Sequence, residues 1–176
     1  MSRILAIDHG SRLVGWAVAE DGQPSACGLL RLEEDYPQSL TALFGFVLSQ
    51  LGEYHPDTLA LEKPMSLRNG RIAQMLIEHY TACKLAAVMA QIPLIEIAPP
   101  TLKLIVAGAG NADKQAVADA LVHKWGLRLD DIAPPELYKA GKRKGEVRKR
   151  NWDASDACAL AIAAHVILGR ETKEQA

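Results

Sequence analysis

Ile4-Leu5-Ala6-Ile7-Asp8-His9-Gly10-Ser11-Arg12-Leu13-Val14-Gly15-Trp16-Ala17-Val18 consists of two apolar runs joined by a short polar turn, and its only carboxylate closes the first run. Short apolar runs bounded by turn residues fit strands buried on both faces, so Arg3 to Asp8 and Val14 to Ala19 are expected to pair across His9-Gly10-Ser11. Asp21-Gly22 signals another turn, and Ala26 to Leu32 reads as a third strand. The chain therefore opens as a three-stranded antiparallel meander.

Beyond the meander the period changes. Leu40, Leu43, Phe44, Val47, Leu48 and Leu51 recur at helical spacing until Gly52 and Pro56. Thr58 to Glu62 reads as a fourth strand, Arg71 to Gln91 as a long helix and Pro93 to Ile97 as a fifth strand. Helices follow over Thr101 to Val106 and Asp113 to Trp125, with Asp113 a candidate cap. The stretch 127–151 lacks periodicity and is expected to be an extended basic loop. A last helix with small packing residues runs from Asp153 to about Leu168, and 171–176 is expected to be a frayed tail. The sum is one α/β domain over 1–170: a mixed five-stranded sheet, three antiparallel opening strands and then parallel ones, with helices on both faces.

Composition narrows the function classes. The chain has 176 residues, 49% hydrophobic and 23% charged, which suits one globular core and excludes a disordered chain. No apolar run reaches the ~18 residues of a membrane span, and the start enters a strand at once, so a cytoplasmic protein, nucleoid-associated if bacterial, is expected. Cys27, Cys83 and Cys158 are widely spaced, which fits buried thiols in a reducing compartment. The net charge of −1 conceals a separation. Between Lys139 and Arg150 seven cations face Glu146, a local +6, while the other 13 basic and 20 acidic residues give −7. An acidic body with a basic arm can hold metal ions on one feature and a polyanion on the other, although a solvated charged loop has the same composition.

Four acids carry the candidate chemistry. Asp8 and Glu62 end apolar strands, where an unpaired charge is costly. Asp153 and Asp156, three apart, share one face of the last helix. Singly, each has another use: acids in a first helical turn complement the helix dipole, and Asp8 can bond the turn after it. Together they describe an oxygen-lined site suited to Mg²⁺ or Mn²⁺, two ions of which catalyse phosphodiester displacement without a side-chain nucleophile.

The opening stretch from Ile4 to Val18 resembles the start of the RuvC-type Holliday-junction resolvases of the RNase H-like superfamily. Leu61-Glu62-Lys63-Pro64 with Arg68-Asn69-Gly70-Arg71, Asn111-Ala112-Asp113-Lys114, and Asp153-Ala154-Ser155-Asp156-Ala157 resemble the family's later motifs, in family order. The resemblance implies a magnesium-dependent endonuclease that nicks four-way DNA junctions symmetrically as a homodimer, with no organic cofactor and no membrane. It assigns Asp8, Glu62, Asp153 and Asp156 to catalysis and metal binding, and Lys114 to the scissile phosphate. His9 replaces a common Pro and is read as filling the turn. Met65 stands where the family often has an aromatic that stacks on a junction base, and is carried as a DNA contact. Arg68, Arg71, Lys142, Arg143, Lys144, Arg148, Lys149 and Arg150 are candidate phosphate contacts, and Tyr138 and Trp152 candidate stacking residues, with Trp152 favoured as core. Alternatives are an RNA-processing nuclease of the same superfamily, of the pre-rRNA type, and a non-catalytic junction binder. An actin-like or sugar-kinase-like ATPase would need a second such domain and a second glycine-rich phosphate segment.

Overall fold

A computed structural model describes residues 2–64 and 70–174. Its main sheet has the order β3-β2-β1-β4-β5, formed by β1 (Arg3–His9), β2 (Leu13–Glu20), β3 (Gln23–Arg31), β4 (Thr58–Glu62) and β5 (Leu94–Ile97). β1, β2 and β3 are antiparallel neighbours, while β1–β4 and β4–β5 are parallel. The mixed sheet therefore agrees with the sequence reading, except that β3 begins at Gln23 instead of Ala26.

Why this sheet is buried on both sides follows from its alternation. Leu5, Ile7, Val14, Val18, Leu59 and Leu61 face α1 (Gln38–Tyr54) and α2 (Gly70–Met89), packing with Leu43, Val47, Leu51, Cys83, Ala86 and Ala87. Ile4, Ala6, Ala17, Ala19 and Ala60 face the other way, onto α6 (Asp153–Glu174) and its Ala157, Leu160, Ala161 and Ala164. Alanine against alanine lets α6 lie close to the sheet. At Gly15 the backbones are so close that a Cβ would fall 1.9 Å from the Asp153 carbonyl oxygen. This contact sets the first turn of α6 beside the carboxyl end of β1. α3 (Pro99–Ala107) and α4 (Lys114–Trp125) complete that side, and the Asp113 carboxylate caps α4 by accepting from Ala116 N at 2.8 Å.

Other expectations change as well. The stretch 127–151 is not an extended loop: it holds α5 (Leu129–Ile132) and a separate antiparallel pair, β6 (Pro135–Leu137) and β7 (Val147–Arg150). The hairpin lacks apolar alternation because it is held by polar contacts, Lys149 to Glu136 at 3.2 Å and Arg150 to Asp130 at 2.7 Å. The second change is at the end of the chain, where α6 continues to Glu174 through most of the expected frayed tail; 175–176 lie outside the described residues. Cys83 and Cys158 are buried as expected, but Cys27 is only half-buried. Among the described residues no helix is long and apolar enough to cross a membrane.

Candidate active site

The site grows from the sheet's register. Ala6 of β1 pairs with Ala60 of β4, so Asp8 and Glu62, each two residues on, project from the same sheet face at the carboxyl ends of parallel strands. That is the face covered by α6, whose first turn carries Asp153 and Asp156. Oxygen atoms of Asp8, Asp153 and Asp156 lie within 4.8 Å of one another. Glu62 stands outside that group of three but lines the same cavity of about 320 Å³, together with His9, Gly10, Lys63, Lys114 and Asp153.

Electrostatics confirm that the acids sense each other. Desolvation, then the charges of Asp156, Glu62 and Asp153, push the Asp8 carboxyl well above its usual range. Glu62 is raised by burial and by Asp156, and Asp153 is raised chiefly by burial. Lys114 partly offsets this repulsion. Its Nζ donates to Asp156 Oδ2 at 2.5 Å and sits 4.0 Å from Asp153 Oδ1. Burial works against the Lys114 charge, but the bond to Asp156 and the surrounding acids outweigh it and raise its pKa. Four carboxylates against one tethered ammonium leave an unbalanced, all-oxygen donor set, which fits a hard divalent cation.

Behind the acids, one group escapes the sequence reading and another exceeds it. His79 is fully buried on α2, with Nδ1 3.0 Å from the Gly10 carbonyl and Nε2 3.1 Å from Ser39 Oγ. It fastens α1 and α2 to the turn that follows Asp8. A histidine among the apolar positions of a helix was the available signal. His9 does more than fill the turn: it borders the acid cavity, its ring lies 5.3 Å from that of Tyr80, and its Nδ1 is buried without a partner among the described residues. Burial and nearby His79 lower its pKa to about 4, so the ring is neutral near pH 7.

The other candidates scatter. Arg71 is exposed and lines a neighbouring cleft of about 680 Å³ with Arg12 and Tyr36. Lys142, Arg143, Lys144, Arg148, Lys149 and Arg150 all lie on the β6–β7 hairpin, with Arg150 the least exposed. Trp152 packs against the core, and Tyr138 has one ring face covered by the Arg143 guanidinium at 4.4 Å. Met65 and Arg68 lie outside the described residues.

Residues 4–137 match the family model described as crossover junction endodeoxyribonuclease RuvC. The chain belongs to the RuvC family. Among curated members, it is 36% identical over 122 residues to the protein of Halorhodospira halophila, an alignment covering 66% of this chain and 73% of that one. It is 28% identical over 175 residues to the Dehalococcoides mccartyi protein, covering 93% and 90%. The fold matches T. thermophilus RuvC in complex with a Holliday junction substrate, with TM-score 0.72, 18% identity and 96% of each chain covered. It also matches the yeast mitochondrial Holliday junction resolvase, with TM-score 0.65, 14% identity, and 99% and 84% covered. The family match stops inside the hairpin, before Asp153, whereas the Dehalococcoides alignment extends over most of the chain.

Proposed function

We propose that this RuvC-family chain is a divalent-metal-dependent endonuclease that resolves four-way DNA junctions by paired nicks, as a homodimer. The observation that carries the reading is the meeting of Asp8, Asp153 and Asp156 at the carboxyl end of β1 in a chain of this family. Asp8, Glu62, Asp153 and Asp156 would hold Mg²⁺, or Mn²⁺ in its place, as two ions per site. Bound there, the ions would make water nucleophilic at neutral pH and offset charge on the attacking and leaving oxygens.

The chain's own residues do the rest. Asp8, rooted in the sheet, and Asp153 and Asp156, rooted in α6, fix the donor oxygens on rigid elements. Lys114 keeps a positive charge at the rim, tethered to Asp156, where it faces an incoming phosphate. A fixed cation aimed at developing charge is worth far more in a partly dry site than in water. Lys114→Ala is expected to lower the cleavage rate about 100-fold with little change in junction affinity, as read by single-turnover kinetics. An unchanged rate would remove Lys114 from the mechanism.

Paired nicks call for two sites related by a two-fold axis. On α2, Ile77, Leu85, Val88 and Met89 are 52%, 52%, 69% and 63% exposed, an apolar surface suited to a second copy. Leu85→Asp is expected to turn a dimer into a monomer in analytical ultracentrifugation and to uncouple the two nicks. A monomeric wild-type protein would overturn the dimer. Substrate class is tested by offering four-way junction DNA, linear duplex DNA and structured RNA with Mg²⁺. Preferential junction cleavage supports the reading, and preferential RNA cleavage favours the RNA-processing alternative.

A further inference from the structure

The β6–β7 hairpin is more than a string of positive charge. In its register Pro135 faces Arg150, Glu136 faces Lys149 and Leu137 faces Val147, which leaves Arg148 as the extra residue of a bulge. Bulges re-aim side chains. Here the bulge brings Leu137 and Val147 opposite each other, so they share a face of the ribbon. They are 47% and 45% exposed, the only large apolar side chains exposed on this segment among the described residues.

The surrounding cations fall into two sets. Arg143 bonds Glu146 and lies over Tyr138, Lys149 pairs with Glu136, and Arg150 bonds Asp130 and the Ala133 carbonyl. These three hold the ribbon's shape and dock it on α5. Lys139, Lys142, Lys144 and Arg148 are exposed, and among the described residues no acid pairs with them. The base of the ribbon is fixed to the active site: Asn151 N donates to the Pro134 carbonyl at 3.2 Å, and Asn151 Oδ1 accepts from Asp153 N at 3.0 Å.

Resting on the junction-nuclease reading, we propose that this hairpin is a wedge, with Leu137 and Val147 pressing against unstacked bases at the branch point while Lys139, Lys142, Lys144 and Arg148 grip the flanking phosphates. Charge complementarity names the occupant: free cations ring the apolar pair on an otherwise acidic chain, which suits a polyanion with exposed base faces. Apolar wedges commonly enter DNA between base steps, and a branch point is where strands pass from one base stack to another. Reach agrees as well. The six steps of chain from Val147 to Asp153 span at most ~22 Å, about six base-pair rises, so one protomer can touch the branch point and a nearby scissile phosphate together.

The test uses a four-way junction with 2-aminopurine at the branch point, and a second with the probe inside an arm. Binding of the wild-type protein, with Ca²⁺ replacing Mg²⁺ to block cleavage, is expected to raise emission at the branch point only. Leu137→Ser with Val147→Ser is expected to abolish most of that rise and weaken junction binding about 10-fold, leaving the salt dependence unchanged. Lys142→Ala with Lys144→Ala is expected to reduce the slope of log affinity against log salt by about 2, and to weaken linear duplex equally. Should the double serine variant fail to fold by circular dichroism, Leu137→Ala alone is expected to shift both readouts in the same direction. A serine or alanine variant with wild-type emission and affinity overturns the wedge. Failure of the wild-type protein to prefer the junction over linear duplex would instead overturn the underlying reading, before any hairpin variant is compared.

Discussion

Replacing Asp8 with Asn is expected to lower junction cleavage by at least about 1000-fold. Losing a group that only orients a metal ligand typically costs 10–100-fold, and Asp8 is itself a proposed ligand at the centre of the cluster. The same change should leave the metal-free protein folded and more stable. In the folded chain, burial and the charges of Asp156, Glu62 and Asp153 raise the Asp8 pKa. The folded state therefore holds that proton more tightly than the unfolded state, whose Asp titrates near ~3.9. Between those two values the native chain binds more protons, so without metal its stability falls as pH rises, reaching the full penalty above the folded pKa.

Asn carries no such penalty. At neutral pH the metal-free Asp8→Asn protein is expected to melt above the wild type and to show a flatter pH profile below neutrality. Divalent cation should reverse the order. At 100 times its Kd, a bound ion adds about 2.7 kcal/mol to the wild type, worth roughly 5–10 °C in a chain of this size, and little to the variant. Thermal melts with Mg²⁺ and with EDTA read both signs. Near-wild-type cleavage by Asp8→Asn, or equal Mg²⁺ stabilisation of both proteins, would contradict the assignment.

Gly15→Ala is expected to do comparable damage from outside the donor set. Gly15 pairs with Asp8 across β1–β2, and its missing side chain is what admits the start of α6. An added Cβ would lie 1.9 Å from the Asp153 carbonyl oxygen and 2.4 Å from its carbon, so backbone must move. Overpacking of this kind costs about 1–3 kcal/mol or more, a loss of roughly 3–10 °C in Tm. The displacement carries Asp153 and Asp156 away from Asp8, and a ~1 Å error in a catalytic constellation can cost about 100-fold in rate. Gly45→Ala on α1 is the control: nothing lies within 4 Å of its Cβ position, so stability should hold or rise while cleavage stays unchanged. Equal behaviour of the two variants would show that the close approach of α6 does not set the site.

The parts of this architecture that were legible in the sequence are those governed by burial. Thr58 to Glu62 is a strand over the expected span, and the small packing residues expected on the last helix are buried on α6. Asp8 and Glu62 stood out because apolar strands rarely end on a carboxylate. The hairpin stayed hidden for the opposite reason. Its strands are three and four residues long, its bulge breaks the two-residue period, and its charged contacts, one across the strands and one to α5, resemble solvating charge. His79 was missed because its role is to donate from Nδ1 to the Gly10 carbonyl across 69 residues of chain, a contact that no local pattern announces. The separation of charge was visible from the start, but not that three of its cations are spent on holding the ribbon together.

Whether Asp8, Glu62, Asp153 and Asp156 form a metal-dependent junction-cleaving centre is decided on one mobile-core four-way junction. Each strand is end-labelled in turn, incubated with protein in Mg²⁺ or in EDTA, and resolved on a denaturing gel. Nicks are expected at symmetric positions in two strands of like polarity with Mg²⁺, and none with EDTA or with Asp8→Asn. Nicking that persists in EDTA, or a junction that is bound in Mg²⁺ and never cut, would contradict that assignment.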